Sequence, residues 1–190
     1  MAYNLCKCVP VRLTDINPNL KKLLISLNHN GSDEGLLELG LAVIIADDYG
    51  RALSNEHMIY LDVHKNSLIR SGVSIYSQKL DSDSHSVDMV EIDLCSFEQG
   101  VGKILLVGYI RCENTIGLSG FSNVHLNLSD LETNHEFGRS LIDECHPGDT
   151  AIILAEMFKG GDDQWNFSVL NQGFANGLKG IVKAVGLDYR

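Results

Sequence analysis

The chain has 190 residues and a formal net charge of −10, because 25 acidic residues outnumber 15 basic ones. This acidity, without any basic cluster in the sequence, argues against binding to nucleic acid or to an anionic membrane surface. A hydrophobic fraction of 44% predicts a globular protein with a substantial core, and the length predicts one domain.

The sequence gives no indication of a membrane span or of secretion. Its longest apolar run, residues 39–46, is far too short to cross a bilayer. The N-terminal sequence MAYNLCKCVP lacks the basic and then apolar order of a secretory signal. The five cysteines are odd in number, which fits reduced thiols better than a disulfide framework. We therefore expect a cytoplasmic protein.

Short segments with apolar residues at every second position follow one another along most of the chain, separated by turn residues. This pattern is typical of β-strands. The predicted strands lie at 11–14, 20–28, 36–46, 58–61, 86–94, 104–110, 122–128, 137–142, 150–159 and 165–169. Residues 104–110 are continuously apolar, which predicts a central strand. Between the strands, residues 62–85 are rich in Ser, Asp and Asn and are predicted to be the least ordered part of the chain, with 80–85 resembling a mobile loop. Residues 96–102 predict a short connector with one helical turn.

The C-terminal part, residues 150–186, predicts a hairpin closed by a helix. Residues 160–163 read Gly-Gly-Asp-Asp, which tolerates the positive φ of a hairpin turn. In the second arm, Trp165, Phe167 and Val169 alternate with polar residues, which predicts one face in water, with Ser168 on it. One helical face is predicted from the spacing of Leu178, Ile181, Val182 and Val185, with Asn176 as N-cap and Gly186 just after the helix.

These elements predict an all-β fold, an antiparallel β-sandwich with a short C-terminal helix. The regular turns and the absence of alternating strands and helices exclude a parallel α/β sheet. We predict one domain over residues 1–190, with a core from about 11 to 186, and a helix that covers the protein's own sheet.

No local pattern indicates catalysis. The sequence contains no Gly-x-Ser-x-Gly motif, no P-loop and no dinucleotide fingerprint. The seven histidines occur at none of the spacings that are typical of zinc sites. We therefore expect a protein that is not an enzyme. The close cysteine pair Cys6 and Cys8 leaves a thiol-based role open.

Acidic and amide residues concentrate in three segments between and at the ends of predicted strands, at 30–38, 62–66 and 81–88. Calcium takes six to eight oxygen ligands from such irregular segments. Loops that end neighbouring strands of a sandwich can converge at one pole of the fold. The spacing alone leaves a calcium site and ordinary surface loops as alternatives.

The end of the chain resembles one known family. Trp165-Asn166-Phe167 and the run 171–178, NQGFANGL, follow a hairpin and precede a short helix. The opening Val11-Arg12-Leu13-Thr14 fits the same pattern. In this order the segments resemble the tellurium-resistance TerD domain family, also described as calcium-binding stress proteins. The resemblance implies a β-sandwich and a role in stress response or tellurite resistance.

The resemblance also implies where calcium ligands would lie. The acidic positions of the family fall on Asn30, Glu38, Asp62 and Asp88, with Asp33 as a further oxygen donor. Two other positions at which the family has carboxylates are Gly40 and Val87, which have no side-chain oxygen. Because fewer anionic ligands weaken calcium binding, the resemblance implies a reduced or lost calcium site.

Three functions remain as hypotheses. The first is a non-enzymatic binding or scaffold module that meets protein partners, or its own copies, through sandwich edges. The second is a functional calcium-binding stress protein that uses the loop carboxylates. The third is a thiol-dependent metal handler that uses Cys6 and Cys8, or an enzyme without a recognisable motif.

Overall fold

The computed structural model describes residues 2–30, 39–61, 67–80, 85–111, 117–142, 146 and 148–188. The side chains of 29, 30, 67–70, 78–80, 85, 86 and 122 lie outside this description. The strands in chain order are β1 (Tyr3–Asn4), β2 (Val11–Arg12), β3 (Lys22–Asn30), β4 (Leu39–Ala46), β5 (Met58–Tyr60), β6 (Ser67–Arg70), β7 (Val73–Leu80), β8 (His85–Asp93), β9 (Lys103–Ile110), β10 (Ser122–Asp130), β11 (His135–Ile142), β12 (Ala151–Lys159) and β13 (Trp165–Phe174). The helices are α1 (Leu13–Ile16) and α2 (Gly177–Ala184), and two short 3-10 turns lie at Asn55–His57 and Leu118–Gly120.

The strands form two sheets. The first sheet has the order β1-β11-β10-β3-β8-β7-β6, and the second has the order β2-β13-β12-β9-β4-β5. Within the described residues, neighbouring strands pair antiparallel except β1, which runs parallel to β11. The predicted β-sandwich with a short C-terminal helix is therefore confirmed.

The core lies between the two sheets. Its apolar side chains come from alternate positions of strands in both, such as Leu23 and Ile25 in β3 and Leu41 and Val43 in β4. Phe167 in β13 is among the largest side chains that are almost completely buried. Burial of this apolar surface, at roughly 25 cal/mol per Å², is the main force that holds the sheets together.

Helix α2 covers the outer face of the second sheet. Ile181 and Val185 pack there against Ala42, Ile44 and Val107, in a second and smaller apolar cluster. All eight residues of β4 are buried as a result. The prediction that the helix covers the protein's own sheet agrees with this packing.

The ends of α2 follow from local chemistry. Asn176 occupies the N-cap position, as predicted, although its side chain makes no capping hydrogen bond. Gly186 has a φ of +79°, and its amide donates to the Lys183 carbonyl at 3.2 Å. This left-handed residue ends the helix in the way that the sequence predicted.

The same helix explains a wrong prediction in β13. The sequence predicts one wet face, but Ser168 is only 4% exposed. Leu170 and Phe174, further along the strand, pack against the cluster under α2. The face of β13 that carries Ser168 is therefore partly covered, and the strand runs to Phe174 instead of ending at Val169 as predicted.

Two further predictions differ from the structure. The alternating segment 11–14 is a strand only at Val11–Arg12, after which Leu13–Ile16 forms one helical turn with Leu13 buried. Residues 96–102, all of which are described, contain turns but no helical turn. The alternation at 11–14 did not indicate the helical turn, and the polar composition of 96–102 did not show that its turns are not helical.

The segment 62–85, which the sequence predicts to be the least ordered, contains a hairpin. Strands β6 and β7 pair around Ser71 and Gly72, which have φ values of 45° and 76°. Val73 and Ile75 of β7 are fully buried in the core between the two sheets. The prediction of low order is therefore wrong for residues 67–80, while 62–66 and residues 81–84 of the predicted mobile loop lie outside the described residues. Across the described ranges, the structure has no helix long and apolar enough to cross a membrane.

Asp130 fastens the turn between β10 and β11. Its carboxylate accepts hydrogen bonds from Asn17 Nδ2, from the Glu132 amide and from Thr133 Oγ1, each at 2.9 Å. Burial of the carboxyl raises its pKa, but these hydrogen bonds outweigh burial, so the pKa of Asp130 lies below its usual 3.8. The folded state therefore favours the charged carboxylate.

We expect this carboxylate to make stability depend on acidity. A lowered folded-state pKa contributes stability above pH 3.8, which is lost as the pH falls below that value. Asp130→Asn should lower the free energy of unfolding at pH 7 by about 2 kcal/mol, because an amide cannot accept from all three donors. The difference in the free energy of unfolding between Asp130→Asn and the unchanged chain should shrink at roughly pH 2–3, because the Asp130 carboxyl becomes protonated there.

Urea unfolding at pH 7 and in acid measures this difference. Asp162→Asn is a matched control, since Asp162 makes a surface ion pair with Arg12 at 2.8 Å and is 45% exposed. Such a pair contributes little, so the control should stay within about 1 kcal/mol. A loss in Asp130→Asn that is equally large at both pH values would show that the carboxylate charge is not its source.

Candidate functional site

Of the four predicted metal-binding residues, the structure describes one side chain. Asn30 ends β3, but its side chain lies outside the description, as do Glu38 and Asp62 and the further donor Asp33. Asp88 in β8 is described and only 2% exposed. The candidate site is therefore built around Asp88.

The Asp88 carboxylate connects the two sheets. Its Oδ2 accepts a hydrogen bond from the Leu41 amide of β4 at 2.8 Å. Leu41 lies beyond the part of β4 that pairs with β5, which spans Ala42 to Ile44. The same Oδ2 accepts from Arg111 Nη2, in an ion pair. Asp88 Oδ1 is buried and has no hydrogen-bond partner among the residues that the structure describes.

Tyr109 and Arg111 bring the end of β9 to the same place. The Tyr109 hydroxyl donates to the Leu61 carbonyl at 3.1 Å, which holds the ring against the chain that leaves β5. Burial raises the pKa of Tyr109 to about 12, with Arg111 opposing the shift and Asp88 adding to it. The hydroxyl therefore remains a donor throughout the physiological pH range.

Because Gly40 has no side chain, it leaves room for Tyr109 and Arg111. A Cβ atom at residue 40 would lie 2.7 Å from Cζ of Tyr109 and 2.8 Å from Nε of Arg111. Both distances are far inside van der Waals contact, so a side chain at position 40 would displace the ring or the guanidinium. Position 40 is also one of the two at which the sequence lacks the carboxylate of the family.

The described residues do not fit a calcium ion. Calcium needs six to eight oxygens, whereas Asp88 Oδ2 already accepts from a backbone amide and from a guanidinium. A positive group within hydrogen-bond distance of the carboxylate repels a second cation. Within the described ranges, no group of three or more His, Cys, Asp or Glu residues could hold a metal ion.

Neither Arg111 nor Tyr109 was predicted from the sequence as part of this site. A detectable feature was the position of Arg111, directly after the apolar run of β9 that is buried almost throughout. An arginine at the end of such a strand needs a counter-charge, and Asp88 provides it. Nothing in the alternation pattern indicates which carboxylate of the facing sheet that is.

A second hydrogen-bonded chain lies elsewhere on the surface. Ser54 Oγ is 2.8 Å from His57 Nδ1, and His57 Nε2 is 2.9 Å from Glu98 Oε1. The order serine, histidine and carboxylate is that of a nucleophile relay. However, Ser54 Oγ also accepts from the Glu56 amide at 3.2 Å as a cap, and the Glu98 side chain is 59% exposed. These contacts fit a structural link between the turn at 54–57 and the connector at 96–102 better than a closed active site.

The two cysteines of the thiol hypothesis are free and exposed. Cys6 and Cys8 flank Lys7, which forms an isolated bridge to Val169 of β13. Cys8 has a φ of 57°, a left-handed conformation. The bridge at Lys7, between the two cysteines, holds this N-terminal segment against β13 of the second sheet. Both thiols therefore lie beside that sheet.

An open cleft of 470 Å³ lies at another end of the second sheet. Its lining includes Lys103 and Lys159, each of which pairs with an acid, namely Glu156 at 2.9 Å and Asp163 at 3.1 Å. Because charges of both signs line this cleft, it offers no concentrated field for a highly charged ligand.

Comparison with known proteins agrees with the resemblance seen in the sequence. The sequence model of the TerD domain matches residues 1–184. General stress protein 16U of Bacillus subtilis (strain 168) is 28% identical over 199 residues, and the alignment covers 99% of each chain.

The fold agrees with solved structures as well. The crystal structure of a homologue of the telluride resistance protein TerD from Streptomyces coelicolor A3(2) superposes with a TM-score of 0.63 and 15% identity. The match covers 90% of this chain and 100% of that one, and at this identity it shows a shared fold. Since the TerD match spans nearly the whole sequence, the chain belongs to the TerD domain family.

Proposed function

We propose that this chain is a non-enzymatic binding module of a stress response or of tellurium resistance, in which the calcium site is lost. Membership of the TerD domain family supports the general role. So do the names of two relatives, a general stress protein and a homologue of a telluride resistance protein. Free exposed thiols, at Cys6, Cys8 and Cys95, suit a reducing compartment such as the cytoplasm.

The observation that carries the loss of calcium is the pairing of Asp88. Its carboxylate is buried, and Arg111 and the Leu41 amide share one of its oxygens. A calcium ion bound to Asp88 would have to displace the Arg111 guanidinium. This arrangement supports a module that works without calcium.

The sheet edges support a binding role. Within the described residues, strand β1 pairs with Gly138 and Arg139 of β11 alone, which leaves the rest of β11 at the edge of the first sheet. Leu141, near its end, is 46% exposed. Unpaired edge strands offer backbone groups to another chain, so a protein partner or a second copy is the ligand we propose. The exposed Ser54–His57–Glu98 chain is consistent with a module that has no catalytic role.

Calcium titration of the purified protein tests this proposal. We expect the melting temperature in about 5 mM calcium to be no higher than in EGTA. This concentration is high enough to fill even weak calcium sites. A site with calcium at about 100 times its Kd would instead stabilise the fold by roughly 2.7 kcal/mol, or about 5–10 °C. Sedimentation velocity under the same conditions should show no calcium-dependent change of assembly state.

Magnesium at equal concentration and sodium chloride at equal ionic strength are the controls. They are needed because the net charge of −10 makes the fold sensitive to any added cation. A rise specific to calcium would contradict the proposal. It would favour the alternative, a working calcium-binding protein that uses Asp88 together with Asn30, Glu38 and Asp62.

A further inference from the structure

A cavity of about 260 Å³ lies at the end of the sandwich at which the hairpin of β12 and β13 turns. Its apolar wall is formed by Leu13 of α1, Leu20, Leu94 and the Trp165 ring. All four belong to the core between the sheets or pack against it, so this wall is continuous with the core. Because the exposed Gln164 also lines the cavity, its apolar surface is open to a ligand from solvent.

The Trp165 ring in this wall is held by two neighbours. Phe97 contacts it with ring centroids 5.4 Å apart and an interplanar angle of 59°. Lys159 Nζ lies 5.6 Å from the centroid of the ring, within the range of a cation–π interaction. A ring that is already ordered loses little side-chain entropy when a ligand packs against it, and this favours binding.

A cation and an anion stand side by side in the lining of the cavity. Lys159 Nζ lies 3.1 Å from Asp163 Oδ1, and the Asp163 side chain is 80% exposed. Such an exposed ion pair contributes little to stability, so both groups can turn to a ligand at small cost. A ligand with one charge would pair with one group and be repelled by the other, whereas a ligand with both charges would pair with both.

We propose that this cavity binds a small zwitterion with an apolar side chain, which is the chemistry of a free apolar amino acid. The ligand carboxylate pairs with Lys159 and the ligand ammonium with Asp163, while the apolar side chain packs against Trp165. Because such a ligand has no net charge, the net charge of −10 on the chain does not repel it. The lining includes no residue of β11, so this is a binding function separate from the proposed contact at that edge.

Trp165 is the one tryptophan of the chain, so its fluorescence reports binding directly. The probe is L-phenylalanine, which does not absorb at wavelengths that excite tryptophan selectively. We expect a saturable change of Trp165 emission with a Kd of roughly 1 mM, as for a ligand of this size with modest contacts. Phenethylamine, which lacks the carboxylate, and phenylpropanoate, which lacks the ammonium, should each bind about fivefold more weakly.

Charge variants test which group recognises which end of the ligand. Lys159→Met should weaken binding of L-phenylalanine about fivefold but strengthen that of phenethylamine, because the like charge is gone. Asp163→Asn should likewise weaken L-phenylalanine and strengthen phenylpropanoate. Lys103→Met is the matched control, since Lys103 pairs with Glu156 at 2.9 Å and does not line this cavity. A general loss of structure would weaken all three compounds together.

Alkylation of Cys95 gives a second measurement that does not depend on fluorescence. Cys95 is exposed and lines the cavity, whereas the equally exposed Cys6 does not. L-phenylalanine should slow the reaction of Cys95 with iodoacetamide, measured on its peptide by mass spectrometry, and leave that of Cys6 unchanged. No saturable response and no protection of Cys95 up to about 20 mM would overturn the inference. Equal binding of all three compounds would also overturn it, and the proposed function would stand in both cases.

Discussion

Replacing Asp88 by alanine is expected to lower the free energy of unfolding by about 3 kcal/mol, which is typical of breaking a buried ion pair. The change takes the carboxylate away from Arg111, whose side chain is 15% exposed. It also takes away the acceptor of the Leu41 amide. Because these contacts join β8 of the first sheet to β4 and the end of β9 in the second, we expect the whole sandwich to lose stability. Urea unfolding at pH 7 measures the loss.

Two controls separate the charge from the hydrogen bond. Asp88→Asn keeps an oxygen for the Leu41 amide, and it should cost less than alanine. In a background of Arg111→Met, the change Asp88→Ala should also cost less, because it no longer breaks an ion pair with a guanidinium. If alanine costs the same in both backgrounds, Asp88 and Arg111 are not energetically coupled, and their ion pair does not hold the two sheets together.

The sequence predicts one half of this pair and not the other. Asp88 was identified because the resemblance places an acidic residue of the family there. Arg111 lies 23 residues further along the chain, in the facing sheet. Periodicity shows which side of a strand is buried, but it does not show which residues of two facing sheets meet. That register depends on the packing of the whole sandwich.

The fold itself was more accessible to prediction. The continuous apolar run of β9 indicates a central strand, and β9 lies between β12 and β4. The spacing of Ile181 and Val185 likewise indicates a helix, which the structure confirms. The hairpin of β6 and β7 was missed because its polar residues suggested a loop. Its turn at Ser71-Gly72 and the alternate Val73 and Ile75 were the informative features.

Replacing Phe167 by alanine is expected to cost about 3–5 kcal/mol, the range for truncating a large buried aromatic side chain. Phe167 is 1% exposed in the core between the sheets. It stands opposite Met157 of β12 and Val11 of β2. The cavity left behind would remove contacts on which both sheets depend. Tyr49→Ala is the control, because Tyr49 is 90% exposed and its loss should stay within about 0.5 kcal/mol.

The same variant tests the prediction of a single domain. Trp165, the one tryptophan of the chain, lies in β13 and reports by fluorescence on the second sheet, whereas far-UV circular dichroism reports on both sheets. If the shared core makes the sandwich one cooperative unit, both signals should shift to lower urea together in Phe167→Ala. A circular dichroism transition that keeps its midpoint while the fluorescence shifts would show that the first sheet folds independently. The core between the sheets, which includes Phe167, would then not bind them into one unit.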